Sequence, residues 1–263
     1  YTDTRNAERI GGEVGAELDD GMTSGWVNTR VLVADSQKAD TPFEDLRLRQ
    51  AINIAMDRNR MGQQLFQNWW VLQTPVGTAI KNWALPLEEL TKKPGFRFKA
   101  DEREADLAEA KRLWEAAGGP AIGPIEVVYA GIPDYLKNFW PQFERMALET
   151  LGLQLKGNLD PTGYTQIAQC ALQKSCILSL NYDNGWLDLD DWVYPYFHST
   201  GAKNSFNVSD PTLDEMLDAQ RAEFDVDRRR QLGYEIQRYL LDNVVARLDW
   251  VTNESLTTRW PYH

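Results

Sequence analysis

The stretch TPFEDLRLRQAINIAMDRNRMGQQLF, from Thr41 to Phe66, carries the strongest fold signal in the chain. Its first turn has a capping box with proline at the first helical position, formed by Thr41, Pro42 and Glu44. An apolar stripe at helical spacing follows, made of Leu48, Ala51, Ile52, Ala55 and Met56. Asp57 breaks this stripe and can cap a second helix that runs to Leu65. The stretch therefore predicts two consecutive amphipathic helices, the first beginning at Thr41 and ending at Met56.

Length and composition narrow the class of protein. The 263 residues can form one large domain or two small ones, and 43% hydrophobic with 25% charged residues is typical of a folded protein. The net charge of -11 argues against a nucleic-acid partner, because binding phosphates requires a basic surface. No apolar run approaches the roughly 20 residues that cross a bilayer. No signal peptide is recognisable after Tyr1, so we expect a mature, processed or truncated chain.

The cysteines and histidines do not form a metal-binding pattern. Cys170 and Cys176 are not spaced as in zinc or redox motifs, and His198 and His263 lie far apart in the sequence. We expect neither a metal nor another cofactor. A disulfide that closes a tight loop and a pair of unpaired thiols both remain open, depending on the redox compartment.

Beyond the opening helices, apolar periodicity and turn residues predict alternating strands and helices. The predicted strands are Val27–Ala34, Ile125–Ala130, Leu153–Leu155, Cys176–Leu180 and Arg247–Thr257. The predicted helices are Asp101–Gly118, Tyr135–Leu151, Tyr164–Leu172, one starting at Asp210 with Phe224 facing inward, and Asp227–Asn243. Strands that alternate with helices in this way indicate an α/β layer.

An acidic, tryptophan-containing segment, NYDNGWLDLDDW, is the main candidate for a functional site. It contains Asp183, Asp188, Asp190 and Asp191 together with Trp186 and Trp192. Grouped carboxylates can act as general acids and bases or bind calcium. No nucleophile–base pair lies nearby in the sequence, and the spacing is not that of an EF-hand. Carboxylates of a solvated turn are the alternative interpretation.

Ten tryptophans are many for a chain of this length. Tryptophans can line a cleft for sugar rings or apolar side chains. Those predicted to lie in loops or at strand ends are Trp69, Trp70, Trp83 and Trp186, whereas core packing is expected for Trp114 and Trp140.

The residue pattern of the Thr41–Phe66 stretch resembles the signature of the extracellular solute-binding proteins of ABC importers, family 5, the peptide- and nickel-binding class. The matching residues are Pro42, Phe43, Glu44, Asp45, Arg47, Arg49, Gln50, Ala51, Ile52, Ala55, Asp57 and Arg58. Two later segments are also similar to the family: the one from Tyr194 to Gln220, which contains YPYFHS and Asp210-Pro211, and the one from Asp227 to Leu241.

The resemblance implies an α/β (α+β) fold, the second lobe of a periplasmic-binding-protein type II-like fold, with a mixed sheet flanked by helices. Residues 1–27 would then be a segment entering from the first lobe, residues 28–248 the second-lobe domain, and residues 249–263 a strand returning toward the first lobe. Since the family's first lobe and last segments have no counterpart here, we expect the chain to be the C-terminal half of a longer protein.

For function, the resemblance implies a non-enzymatic, exported protein, periplasmic or extracellular, that delivers a ligand to the permease of an ABC importer by closure of two lobes. Peptides, oligosaccharides, nickel complexes and other small solutes all occur as ligands in the class. Membrane attachment would come only through a lipid anchor outside this chain. The two other hypotheses are a hydrolase that uses the Asp183–Asp191 carboxylates and a structural subunit that kept the fold without the ligand.

The resemblance also points to ligand-binding residues. In the family, a tryptophan followed by an Asp-rich turn lies at the cleft, where an aspartate of the peptide binders pairs with the ligand's ammonium group. Trp186 and Asp188 are the nearest equivalents, and Asp183 and Trp70 complete the predicted site. Leu189 stands where the family usually has proline, so Asp183 and Asp188 both remain candidates for the cleft-facing position.

Overall fold

The structure is a computed structural model that describes residues 17–21, 25–67, 70–78, 80–131, 135–162, 165–184, 187–253 and 255–259. The strands are β1 (Glu17–Gly21), β2 (Gly25–Val31), β3 (Trp70–Leu72), β4 (Ile125–Ala130), β5 (Leu155–Asp160), β6 (Leu178–Asn184), β7 (Arg247–Asp249), β8 (Val251–Asn253) and β9 (Ser255–Arg259). The helices are α1 (Leu46–Ala55), α2 (Arg58–Phe66), α3 (Leu87–Leu90), α4 (Ala100–Ala116), α5 (Tyr135–Leu151), α6 (Thr165–Gln173), α7 (Asp190–Phe197), α8 (Pro211–Ala222) and α9 (Val226–Asp242).

A mixed five-stranded sheet, in the order β5-β4-β6-β2-β7, organises these elements. β4 runs parallel to both β5 and β6, whereas β2 is antiparallel to β6 and to β7. Two further pairs form separately: β1 pairs with β9, and β3 pairs with β8, both antiparallel. Helices cover the sheet, so the predicted α/β class with a mixed sheet flanked by helices is confirmed.

The 41–66 stretch opens with a short 3₁₀ turn rather than with the predicted long helix. The Thr41 hydroxyl accepts a hydrogen bond from the backbone N–H of Phe43 at 3.1 Å and caps this turn. The expected capping box does not form, because Glu44 Oε1 instead accepts from the backbone N–H of Asp35 at 3.0 Å. The prediction of one continuous helix starting at Thr41 is therefore wrong.

A second cap starts the α-helix proper. Asp45 has an extended backbone, and its carboxylate accepts a hydrogen bond from the backbone N–H of Arg47 at 2.8 Å, so α1 begins at Leu46. Asp57 caps α2 as predicted, by accepting from the backbone N–H of Arg60 at 2.9 Å. The buried stripe of α1 packs mainly against α4 and also against α5, in the same core as the strands.

Two hydrophobic clusters form the interior. The first contains the α1 stripe, α5, the inward side chains of β4 and β6, and the two tryptophans that were expected in the core, Trp114 and Trp140. The second lies around α7, α8 and α9 and is centred on Trp192, which is fully buried. The acidic segment begins in β6, which contributes to the first cluster, and ends in α7, which contributes to the second.

Several predicted boundaries are displaced. Gly152 takes a left-handed backbone (φ 68°), which ends α5 and delays β5 from the predicted Leu153–Leu155 to Leu155–Asp160. The strand predicted at Cys176–Leu180 is β6, which begins at Leu178 and runs to Asn184. The predicted strand Arg247–Thr257 is broken into β7, β8 and β9, because Trp250 turns into the core and donates its indole N–H to the Thr29 hydroxyl at 2.9 Å.

Two errors concern helices. The sequence did not indicate α7, because Pro195 lies inside it. The predicted inward orientation of Phe224 is also wrong: α8 ends at Ala222, and the Phe224 side chain is 95% exposed.

Candidate ligand-binding site

The predicted site lies at the carboxyl end of β6. Asp183 is the sixth residue of β6, opposite Trp26 of β2 in the antiparallel register. The Asp183 side chain and all of Trp186 lie outside the described residues, so their roles stay predictions. The described part of the site begins at Leu187, which is 71% exposed, and continues through Asp188 into the acidic first turn of α7.

Asp188 forms a bidentate ion pair with Arg229 of α9. Asp188 Oδ1 accepts from Arg229 Nη2 at 2.6 Å, and Oδ2 accepts from Nη1 at 2.8 Å. Oδ1 also accepts from the backbone N–H of Asp190 at 2.9 Å. The Arg229 guanidinium holds the pKa of Asp188 below its usual range, so this carboxylate is charged at neutral pH. The Asp188 side chain nevertheless keeps 48% of its surface exposed.

Arg229 holds three helices around this carboxylate. Its Nε donates to the backbone carbonyl of Gln220 at 3.1 Å and to the Gln220 side-chain oxygen at 3.2 Å. Gln220 Nε2 in turn donates to Asp190 Oδ1 at 2.7 Å. The guanidinium also lies 5.1 Å from the ring centre of Trp83. These contacts connect α7, α8 and α9, so Asp188 is held in a defined position.

Sequence reasoning missed Arg229 and Gln220. Arg229 is the middle residue of a run of three arginines, Arg228–Arg230, which by itself gives no sign of which guanidinium turns inward. Trp83, expected at a cleft, is partly buried against the second cluster under Arg229.

Asp191 differs from its two acidic neighbours. Partial burial and the nearby charges of Asp188 and Asp190 raise the pKa of Asp191, whereas Lys203 acts in the opposite direction. Asp190 pairs with Arg221 at 3.3 Å, but Asp191 makes no ion pair with any side chain in the described part of the chain. The cluster thus combines one carboxylate with a lowered pKa and one with a raised pKa.

Trp70 lies in a different environment. It belongs to β3, packs edge-to-face on Phe98 with ring centres 5.8 Å apart, and covers Gly62, where a Cβ atom would overlap the indole ring. Trp70 thus packs against the first cluster. None of the contacts described for Trp70 is with Asp188. Its assignment to the ligand site stays a prediction.

Cys170 and Cys176 are joined in a disulfide, with Cα atoms 5.3 Å apart. The bond connects the last turn of α6 to the residues just before β6. Within the described residues, no group of three or more His, Cys, Asp or Glu side chains is arranged to hold a metal ion. Nor does this part of the chain contain a helix long and apolar enough to cross a bilayer.

The model of the bacterial extracellular solute-binding proteins, family 5 Middle, matches residues 15–135, which include the whole Thr41–Phe66 stretch. The resemblance to the family 5 solute-binding proteins is confirmed. Among curated proteins, no match to the chain is found.

Solved structures extend the similarity over nearly the whole chain. The murein tripeptide binding protein MppA of Escherichia coli has a TM-score of 0.79 at 14% identity, covering 99% of this chain and 48% of its own. OppA of Haemophilus influenzae, in complex with the peptide RPPGFSPFR, has a TM-score of 0.75 at 14% identity, covering 100% and 49%. DppA of Helicobacter pylori, in complex with the peptide STSA, has a TM-score of 0.76 at 13% identity, covering 97% and 47%.

At such low identity these three likenesses establish the fold alone. The chain spans about half the length of each of these proteins.

Proposed function

We propose that this chain is one lobe of an exported solute-binding protein that delivers a peptide to an ABC importer. One observation supports this above all: the chain matches about half of MppA, OppA and DppA along nearly its full length, and each of those proteins is described by the peptide that it binds. The closing of this lobe on a complementary one would surround the ligand, and the permease would recognise the closed form.

The geometry of Asp188 is compatible with an ammonium ligand. Each carboxylate oxygen has two acceptor directions. Oδ1 uses both, for Arg229 Nη2 and for the N–H of Asp190, whereas Oδ2 accepts only from Arg229 Nη1 among the described residues. Because the side chain is half exposed, the N-terminal ammonium group of a peptide can bind Oδ2 without displacing Arg229. Trp186 and Asp183 would complete the pocket at the carboxyl end of β6.

The same geometry weighs against the hydrolase hypothesis. A carboxylate with both oxygens bound to a guanidinium is a poor nucleophile and a poor base, since attack would disrupt the ion pair. Asp191, with its raised pKa, would then act alone. Turnover of a peptide or an oligosaccharide by the intact protein would favour the hydrolase, and a cleft filled by the protein's own side chains would favour a structural subunit.

An oxidising location agrees with the disulfide between Cys170 and Cys176. We therefore propose the periplasm or the cell exterior as the site of action, with ABC permease subunits as partners and any lipid anchor outside this chain.

The test is titration calorimetry on the protein expressed with the residues that flank this sequence in its gene. A pool of di- to pentapeptides, read by native mass spectrometry, would first supply a binding peptide. We expect Asp188→Asn to weaken that peptide at least tenfold, and Asp227→Asn, an exposed α9 carboxylate, to have no effect. Acetylating the peptide's N-terminus should weaken binding to the unchanged protein similarly and add little further loss in Asp188→Asn.

Two results would contradict the proposal. If the acetylated and free peptides bind equally well, the ammonium contact is wrong. If the 263-residue chain alone binds as tightly as the longer protein, closure of two lobes is not needed for binding, because a single lobe should lose about half the contacts.

A further inference from the structure

Two exposed aliphatic side chains lie beside the Asp188 carboxylate. Leu187, the residue before Asp188, is 71% exposed, and Val226, in the first turn of α9, is 58% exposed. A single exposed aliphatic side chain is common on a protein surface, whereas neighbouring ones at a ligand site carry information about the ligand. We call Leu187 and Val226 the apolar rim.

The contacts between the acidic segment and α9 show how the segment runs along the helix. Leu189 packs on α9 at Gly233, where an added Cβ atom would lie 2.7 Å from Leu189 Cδ2. One residue earlier, Asp188 pairs with Arg229, about one turn nearer the start of the same helix. The segment, followed backwards from Leu189, therefore runs toward the N-terminal end of α9.

Val226 belongs to the face of α9 that carries these contacts. It precedes Arg229 by three residues and Gly233 by seven, which is the spacing of one helix face. Gly233 and Val226 are separated by about 10 Å along the helix axis. Leu187 lies two residues before Leu189, and two residues span up to about 7 Å. The few ångströms that remain between Leu187 and Val226 are within the reach of their side chains, so the apolar rim lies just beyond the ion pair.

Asp188 determines which part of a peptide meets the apolar rim. Its Oδ2 accepts only from Arg229 Nη1 among the described residues, so one acceptor direction is left for an ammonium group. In a peptide, the N-terminal nitrogen and the first side chain are attached to the same Cα atom. An ammonium group bound at Oδ2 therefore brings the first side chain close to Leu187, whose Cα atom is about 3.8 Å from that of Asp188.

We propose that the apolar rim selects peptides whose first residue is apolar. This inference rests on the proposed function, because it takes the ammonium contact at Asp188 as given. An aliphatic first side chain would remove apolar surface of Leu187 and Val226 from water together with its own, which favours binding. A serine in the same position would lose hydrogen bonds to water, and an acidic side chain would also be repelled by Asp188. The expected ligands are peptides that begin with leucine, isoleucine, valine, methionine or phenylalanine.

The experiment compares the tetrapeptides LAAA and SAAA, which differ only in the first side chain, by titration calorimetry on the protein expressed with its flanking residues. We expect LAAA to bind at least about fivefold more tightly than SAAA. Leu187→Ser and Val226→Ser should each weaken the binding of LAAA at least about threefold and change that of SAAA by less than about twofold. Leu172→Ser, at an 85% exposed leucine of α6, is the matched control and should bind both peptides like the unchanged protein. Unchanged thermal midpoints would show that the variants are folded, and Val226→Ser carries the test if Leu187→Ser unfolds.

Three results would overturn the proposal. The first is equal affinity for LAAA and SAAA. The second is a preference for LAAA that persists in both serine variants, since the selectivity would then come from another surface. The third is equal weakening of both peptides by Leu187→Ser and Val226→Ser, because the apolar rim would then contact another part of the protein instead of the first side chain.

N-terminally acetylated LAAA separates this proposal from that of the ammonium contact. If acetylation weakens LAAA and SAAA alike while the two free peptides bind equally, the contact at Asp188 is supported and the apolar preference is wrong. If acetylation leaves the affinity of LAAA unchanged, whereas its preference over SAAA is lost in the serine variants, the contact at Asp188 is wrong and the apolar preference is supported.

Discussion

Replacing Arg58 by methionine should destabilise the fold more than any exposed charge substitution. The Arg58 side chain is only 1% exposed and makes four hydrogen bonds. Its Nε donates to Asp249 O at 2.8 Å, Nη1 to Asn53 O at 2.9 Å and to Gly95 O at 2.8 Å, and Nη2 to Asn53 Oδ1 at 2.6 Å. The guanidinium carbon also lies 3.9 Å from the ring centre of Phe96. Arg58 thus ties α1, the loop before α4, and β7 together.

The magnitude follows from two opposing effects. Methionine fills much of the same volume but leaves four buried acceptors without this donor, and each loss costs about 1–3 kcal/mol. Against this, methionine removes a buried charge: desolvation lowers the pKa of Arg58 to about 9, a sign that burial of the guanidinium is itself costly. We expect a net loss of about 3–5 kcal/mol in the free energy of unfolding.

Urea unfolding followed by tryptophan fluorescence measures this loss. Arg60→Met is the matched control, because Arg60 lies two residues further along α2, is 40% exposed, and among the described residues pairs only with Glu149, at 3.5 Å on the surface. That control should change the unfolding free energy by less than about 1 kcal/mol. If Arg58→Met and Arg60→Met differ by less than about 1 kcal/mol, the buried hydrogen bonds do not stabilise the fold as argued.

Three further predictions concern the core, the disulfide and pH. Ile52→Asp should cost several kcal/mol, because Ile52 is 1% exposed and an unpaired carboxylate would be buried; an equally stable, soluble variant would contradict the packing of α1. Reducing the Cys170–Cys176 bond should lower the free energy of unfolding by about 2 kcal/mol, a small value because the bond closes a short loop. Alkylation of both thiols in native, non-reduced protein would disprove the bond. The Asp188–Arg229 pair lowers the pKa of Asp188 in the folded state. The stability that the pair contributes is therefore present above the pKa of the unfolded state and is lost as the pH falls through the pKa of the folded state. Because the carboxylate is half exposed, Asp188→Asn should reduce the acid-induced loss in the free energy of unfolding by less than about 1 kcal/mol.

The family signature proves to be mainly structural, which explains why it predicted the fold so well. Its polar residues reach distant backbone carbonyls: Arg49 Nε donates to Val244 O at 3.2 Å, and Gln50 Nε2 donates to Asp242 O at 3.0 Å. Together with Arg58, they fasten the 41–66 stretch to the segment between α9 and β7. A sequence pattern with this many side chain–backbone contacts specifies a local geometry, so its match predicts an architecture even though none of these residues lies at the acidic segment.

The sequence correctly predicted those elements whose ends are determined by residues next to them in the chain, such as helix caps. β4 and α5 lie at the predicted residues, and the caps at Asp57 and Asp210 start α2 and α8. Prediction failed where a tertiary contact decides the boundary. The C-terminal strand could not be divided correctly from its sequence, since burial of Trp250 against Thr29, more than 200 residues earlier, interrupts it.

The acidic segment shows the same limit within the site, and there it bears on function. From the sequence, Asp188 is one of four aspartates in nine residues, and the family resemblance leaves both Asp183 and Asp188 as candidates for the cleft-facing position. In the structure, a guanidinium from 41 residues further along the chain binds both its oxygens and lowers its pKa, while Asp191, three residues away, has a raised pKa. Asp188 is therefore a carboxylate that is both fixed in position and charged, two properties that favour the binding of an ammonium group. For this reason Arg229→Met should weaken peptide binding as Asp188→Asn does, although Arg229 itself would repel the ligand's ammonium group, because a freed Asp188 carboxylate is no longer held in place. Tighter binding in Arg229→Met would show instead that the arginine competes with the ligand, and Asp183 would then be the better candidate for the contact.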